Sequence, residues 1–145
     1  MDKLQKNSVP LTRIQKLIGQ RMLESKHNKP CFYLRSKADV TELMGMRHTL
    51  KKTMGVRITT DTFYIRALAQ AVLKYPLVVG RLEGDHIRIA DAVNVGFAVD
   101  APQGLVVPVI KDADKKTLAE IAGLEEILIE KARDNKLTLE EIGGE

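Results

Sequence analysis

Apolar positions recur along this chain with two periods, and the change of period divides it. From Thr12 onward Ile14, Leu17, Ile18 and Met22 fall at helical spacing, which predicts an amphipathic helix over residues 13–26. Thr12 with Gln15 reads as a capping-box start, and His27-Asn28-Lys29-Pro30 breaks the run. Residues 31–37, CFYLRSK, favour a strand with Phe32 and Leu34 on one face. Asp39 with Glu42 reads as a second capping box, and Val40, Leu43, Met44 and Leu50 form a helical stripe that ends at Gly55. After a short extended stretch at 56–59, Thr60 is placed to cap the segment FYIRALAQAVLKY, which stops at Pro76. That segment is apolar on nearly every side, so it is expected to be the buried central helix.

Beyond Pro76 the period shortens. Residues 77–82 and 86–90 alternate around Glu83-Gly84-Asp85, a hairpin turn. Residues 92–99 read as a strand, Ala101-Pro102-Gln103-Gly104 as a turn, and 105–110 as the returning strand. Pro108 cannot donate a ladder hydrogen bond, so an edge or a bulge is expected there. Thr117 with Glu120 is a third capping box, and Leu118, Ile121, Leu124, Leu128 and Ala132 give the helix after it one apolar face. Thr138-Leu139-Glu140-Glu141 is a further start-of-helix signal, running into two glycines. The element order predicts an α/β fold: two layers, a mixed sheet with helices over one face. Strict alternation of strands and helices is missing, which argues against a doubly wound parallel fold.

Composition narrows the class. A chain of 145 residues with 44% apolar and 29% charged residues is long enough for one domain with its own core. No apolar run approaches the roughly 20 residues of a membrane span. The N-terminus has charge but no apolar signal region, so no membrane association is expected. The single Cys31 fits a reducing compartment and a small, half-buried strand position. Residues 1–60 hold 13 Lys or Arg against 4 Asp or Glu, whereas 61–145 hold 10 against 15. A basic half is compatible with nucleic acid, a phosphorylated ligand, an acidic partner or a solvated face. Trp is absent and aromatics are only 4%, so no stacking pattern accompanies the charge and nucleic acid is the weakest of these readings. Gly-rich phosphate loops and paired metal-ligating cysteines are missing. His27, His48 and His86 occupy three unrelated contexts, and none forms a nucleophile-base pattern with Cys31. Asp112 and Asp114 sit among Lys111, Lys115 and Lys116, as in a solvated turn. From residue types alone no catalytic group and no metal site emerges.

One segment goes further. Residues 94–121, NVGFAVDAPQGLVVPVIKDADKKTLAEI, resemble the hallmark segment of the dihydrolipoamide acyltransferase core component of 2-oxo acid dehydrogenase complexes. PLTRIQKLIGQRMLESK near the N-terminus resembles the first helix of that family's catalytic domain, and KLTLEEIGG resembles the approach to its GGTFTISN segment. The resemblance covers about residues 9–144. It implies a chloramphenicol-acetyltransferase-like fold, truncated. Residues 1–9 are then a linker remnant, and 10–145 are the N-terminal part of the catalytic domain. It implies acyl transfer between dihydrolipoamide and coenzyme A. Coenzyme A is a substrate, and the lipoyl group is supplied by another domain or protein. The family's TFTISN strand and its DHRxxDG motif, which carries the catalytic His and Asp, do not occur in these 145 residues. The chain alone is therefore expected to be inactive without a C-terminal half. A non-catalytic assembly or coenzyme A-binding module is the alternative.

Three positions match residues that touch coenzyme A in relatives: Arg47, Thr59 and Asp100. The chemistry suits each: a guanidinium fork for phosphate oxygens, a hydroxyl, and a carboxylate acceptor. Each also has a plain structural reading, as a solvated helix residue, a cap and a turn former. The resemblance further implies a trimer-based homo-oligomer, a lipoyl-bearing domain and other dehydrogenase-complex components as partners. It places the protein in the cytoplasm, or the mitochondrial matrix in a eukaryote. The truncation implies exposed apolar surface and strand edges, and hence self-association.

Overall fold

The computed structural model describes residues 8–143. Most of the expected linker remnant, residues 1–7, and the final Gly144 and Glu145 lie outside the described residues. The chain divides into two compact units, Met1–Ala38 and Asp39–Glu145. None of the described helices is long and apolar enough to cross a membrane.

The first unit is built on helix α1, Arg13–Asn28. Its start is the predicted capping box: Thr12 accepts from the Gln15 amide while the Gln15 side chain accepts from the Thr12 amide. Leu17, Ile18, Met22 and Leu23 are exposed within this unit. The strand expected over 31–37 is absent. Residues 29–40 carry no regular structure, and Phe32, Tyr33 and Leu34 are more than 80% exposed. The composition favours a strand, but β-structure also needs a neighbouring ladder, and none pairs with this segment among the described residues. Cys31, expected half-buried, is exposed.

The second unit has the expected α/β character. Helix α2 is Thr41–Met54. The predicted Asp39–Glu42 capping box is replaced by an Asx-type turn, in which Asp39 accepts from both the amide and the hydroxyl of Thr41. The helix ends at Gly55 in the left-handed region, φ +71°, as predicted. Helix α3, Thr60–Lys74, is capped by Thr59 rather than Thr60. It buries Thr62, Phe63, Ile65 and Ala69, whereas Tyr64, Leu68 and Leu73 are exposed. It is therefore central, but covered on one side only. Pro76–Val79 form a 3₁₀ turn where a strand was expected, because Pro76 pre-sets a helical φ. The hairpin then begins late, with β1 at Arg81–Glu83 and β2 at His86–Arg88 around Gly84 at φ +63°.

Four short strands follow: β3, Val95–Gly96; β4, Val99–Ala101; β5, Gly104–Val106; and β6, Val109–Ile110. β3 pairs with β6 and β4 with β5, both antiparallel. Val95 faces Ile110, and Val99 faces Val106, which is one register throughout. The four strands are thus a single long hairpin, interrupted at Phe97 opposite Pro108. The Phe97 amide still donates to the Pro108 carbonyl at 3.0 Å, but Pro108 has no N–H to return the bond. The predicted strands 92–99 and 105–110 are each split at this point. At the tip, Gly104 takes φ +121°, a conformation that only glycine adopts without strain.

Helix α4, Leu118–Arg133, starts at the predicted Thr117–Glu120 box. The main core joins Ile65 and Ala69 of α3, Phe97 and Val99 of the hairpin, and Ile121, Leu128 and Ala132 of α4. Burying one such Ile or Leu contributes about 1.5–3 kcal/mol. A second cluster, Ile58, Phe63 and Ala122, receives Leu43, Met44 and Leu50 from α2. Beyond α4 the Thr138–Glu141 signal makes one capped turn and no helix. Glu141 there accepts from Lys131, and its carbonyl takes the outward amide of Val109 at 2.8 Å. The apolar side chains of the β1–β2 hairpin, Leu82 and Ile87, are exposed, as are Leu77 and Val78 beside it.

Two outcomes follow. Gly104→Ala is expected to lower stability in urea titration by about 1–2 kcal/mol, the cost of forcing a Cβ into that backbone region. The Lys131 ammonium, and then the Thr138 amide, hold the Glu141 carboxyl below the usual carboxylate range. A depressed carboxyl stabilises the fold above its unfolded value and loses that contribution as pH falls through its folded value. The stability gap between wild type and Glu141→Gln, read from urea melts, is therefore expected to be full at pH 7 and to close below about pH 4.

Candidate functional site

The residues singled out for coenzyme A begin on α2. Arg47 lies one turn after Leu43 on the helix that packs against the second cluster, and it is half-buried. Its Nε donates to the Ile58 carbonyl at 3.2 Å. That bond holds the guanidinium plane against the chain just before α3. Its two Nη groups meet no protein acceptor among the described residues, so the fork of donors remains for a ligand oxygen. Lys51, Lys52 and Arg57, all exposed, add positive charge in the adjoining sequence.

Thr59 follows Ile58 directly and is the N-cap of α3. Its hydroxyl accepts from the Thr62 amide at 3.0 Å, and the Thr62 hydroxyl accepts from the Thr59 amide at 3.0 Å. Each hydroxyl then donates to the same carboxylate, Glu125 of α4: Thr59 to Oε1 at 2.7 Å and Thr62 to Oε2 at 2.6 Å. Glu125 is 2% exposed, and Thr62 is fully buried. The structure thus joins Arg47, Ile58, Thr59, Thr62 and Glu125 in one bonded chain from α2 through α3 to α4. The helix N-terminus adds a partial positive charge beside the guanidinium.

Asp100 is not part of this chain. It sits on β4 opposite Leu105, exposed to solvent. Among the described residues, no hydrogen bond or ion pair links it to Arg47 or Thr59. A separate open cleft of about 780 Å³ lies between α3 and the β1–β2 hairpin, lined by Leu68, Val72 and Val95 and by Arg81 and Arg88. Neither Arg47, Thr59 nor Asp100 lines it.

Sequence reasoning did not single out Thr62 and Glu125. A signal for Glu125 existed: it falls four residues after Ile121 and three before Leu128, inside the apolar stripe of α4. A carboxylate at that phase is buried unless the helix rolls, and a buried carboxylate needs donors. The donors come from residues more than 60 positions earlier, which periodicity does not reveal.

The family model of the 2-oxoacid dehydrogenases acyltransferase catalytic domain matches residues 3–145. The chain belongs to this family. It is 36% identical over 140 residues to the dihydrolipoyllysine-residue succinyltransferase component of the 2-oxoglutarate dehydrogenase complex of Haemophilus influenzae, covering 94% of this chain and 34% of that protein. It is 38% identical over 141 residues to the acetyltransferase component of the pyruvate dehydrogenase complex of Rickettsia typhi, covering 94% and 35%. Among solved structures, the dihydrolipoamide acetyltransferase of Azotobacter vinelandii superposes with a TM-score of 0.90 at 31% identity, over 99% of this chain and 63% of that one. A truncated catalytic core from Thermoplasma acidophilum superposes with a TM-score of 0.85 at 28% identity, over 95% and 65%. The chain therefore spans about a third of the curated relatives it matches. The fold is that of the family's catalytic cores.

Glu125→Ala removes the acceptor of two Thr hydroxyls and opens a cavity between α3 and α4. It is expected to lower the unfolding free energy by about 2–4 kcal/mol in denaturant titration. A change below about 0.5 kcal/mol, the range of ordinary surface substitutions, would contradict the arrangement.

Proposed function

We propose that this chain forms the coenzyme A side of an acyltransferase catalytic domain in a 2-oxo acid dehydrogenase complex, which moves an acyl group between a dihydrolipoyl group and coenzyme A. The observation that carries the reading is Arg47, anchored through Nε to the Ile58 carbonyl with its Nη fork open beside the N-terminus of α3. That is a place built for phosphate or carbonyl oxygens. Thr59 contributes as an acceptor, since its hydroxyl proton is directed at Glu125. Asp100, exposed on β4, accepts from hydroxyl or amide groups farther along the ligand. The names of the relatives, succinyltransferase and acetyltransferase components of dehydrogenase complexes, support the substrate class.

In this reading residues 10–145 are the N-terminal part of the catalytic domain and residues 1–9 lead into it. The chemistry is thiol-to-thiol. A base takes the proton of the coenzyme A thiol, the thiolate attacks the thioester carbonyl of the acylated lipoyl group, and the tetrahedral oxyanion collapses to release the lipoyl thiol. The base and the oxyanion donor belong to the family's TFTISN and DHRxxDG segments, which are not among these 145 residues. What this chain supplies is binding and orientation of the cofactor arm. The assembly is a trimer-based homo-oligomer served by a lipoyl-bearing domain and the other components of the complex, in the cytoplasm or the mitochondrial matrix. The likeness of this chain to a solved structure of the cubic core of a pyruvate dehydrogenase complex supports the oligomer.

Calorimetric titration with coenzyme A tests this. Saturable binding is expected, weakened about tenfold or more in Arg47→Ala through loss of a charge-assisted contact. Absence of binding by the folded chain would overturn the coenzyme A reading.

A further inference from the structure

We propose that Glu125 is the positioning residue of the coenzyme A site, holding the first turn of α3 where Arg47 and Thr59 meet the ligand without touching the ligand itself. This deepens the reading above and rests on it.

Helix α4 carries an oddity. Positions 121, 128 and 132 bury Ile, Leu and Ala at 5% exposure or less, and an apolar side chain at position 125 would continue the stripe. A carboxylate there gives up its hydration and regains only what its donors return. A buried charge is therefore a poor route to stability compared with an apolar residue of the same size. What it offers instead is direction. Its two oxygens accept from Thr59 and Thr62 at 2.7 and 2.6 Å, three residues apart on a single helical turn. Two bonds to one turn fix both its rotation about the helix axis and its distance from α4. A single bond, or apolar packing, fixes neither as tightly.

Within the protein the hydroxyl protons have two directions open to them. Each already accepts an amide proton from the other residue of the capping box, so each proton is free to point only at the carboxylate or across to the neighbouring hydroxyl, 3.0 Å away. Glu125 settles the pair. Ile58, the residue before Thr59, is buried and carries the carbonyl on which Arg47 rests. A shift of the first turn of α3 therefore moves Thr59 directly and the Arg47 guanidinium through that carbonyl. The chain from Glu125 to Thr59, to the Ile58 carbonyl, to Arg47 is made of adjacent residues and hydrogen bonds, with no gap between links.

The test compares coenzyme A affinity with folding in four proteins of 145 residues: wild type, Glu125→Gln, Glu125→Leu and Thr62→Val. Gln keeps the shape and can complete the same ring, accepting from one hydroxyl and donating to the other. Leu keeps most of the volume and removes both bonds. Thr62→Val removes one hydroxyl isosterically, and it serves as the second probe if the Leu protein folds poorly. Circular dichroism gives the folded fraction to which calorimetric binding is normalised. The expected result is that Glu125→Gln binds within about threefold of wild type, while Glu125→Leu and Thr62→Val, at equal folded fraction, bind about tenfold more weakly. Equal affinity in wild type and all three variants would overturn this inference while leaving the coenzyme A reading intact. Loss of binding only in proportion to loss of folded protein would also overturn it, since Glu125 would then be purely structural. No binding by wild type would overturn the coenzyme A reading and this inference with it.

Discussion

The second unit depends on one buried carboxylate. Glu125 reaches from α4 to the first turn of α3, and no other described side chain spans that junction with two short hydrogen bonds. Around it the packing is ordinary: Ile121 and Leu128 of α4 against Ile65 and Ala69 of α3, with Phe97 and Val99 of the hairpin closing the cluster. Such packing favours burial but tolerates sliding and repacking. The carboxylate does not tolerate sliding, because any displacement leaves a buried acceptor or a buried hydroxyl without its partner. The place where α2, α3 and α4 converge, and where Arg47 is presented, inherits its geometry from that requirement.

A second constraint acts on the hairpin. One register runs from Val95–Ile110 to Ala101–Gly104, and Pro108 interrupts it by lacking a donor. The interruption has a use in the fold. Pro108, Val109 and Ile110 are buried, and the amide of Val109, turned away from β3, is taken by the Glu141 carbonyl. The chain emerging from α4 thus runs along the edge of the hairpin. Gln103 at the hairpin tip donates to the Ala132 carbonyl at 2.9 Å, which ties the other end of the hairpin to the last turn of α4. Strand edges left open invite pairing with other chains, and here one edge position is occupied from within.

How much was legible in the sequence follows from the range of each signal. Capping boxes are local, and Thr12–Gln15 and Thr117–Glu120 form as the sequence predicts because three residues suffice to make them. The α3 cap lies one residue before the expected Thr60: Thr59 and Thr62 form the reciprocal box, and both hydroxyls go on to Glu125. The strand at 31–37 failed for the opposite reason. Its aromatic content, Phe32 and Tyr33, is local, but the ladder it requires is not. Pro76 stops α3 as expected, and its preset φ also starts a 3₁₀ turn. At the site, Arg47 and Thr59 are expectations from resemblance to the acyltransferase family, and the structure links them through the Ile58 carbonyl. Asp100, found the same way, stands apart on β4. Glu125 shows in the sequence as a carboxylate within the apolar stripe of α4, but its donors lie more than 60 residues earlier and leave no period.

The central claim is that this chain presents a coenzyme A-binding surface where α2 meets the first turn of α3. Backbone amide chemical-shift mapping during coenzyme A titration tests it most directly. The account predicts saturable shifts centred on Arg47 and residues 58–62, extending to Asp100. Shifts centred instead on the cleft walled by Leu68, Val72 and Val95, with Arg47 and Thr59 unmoved, would contradict it.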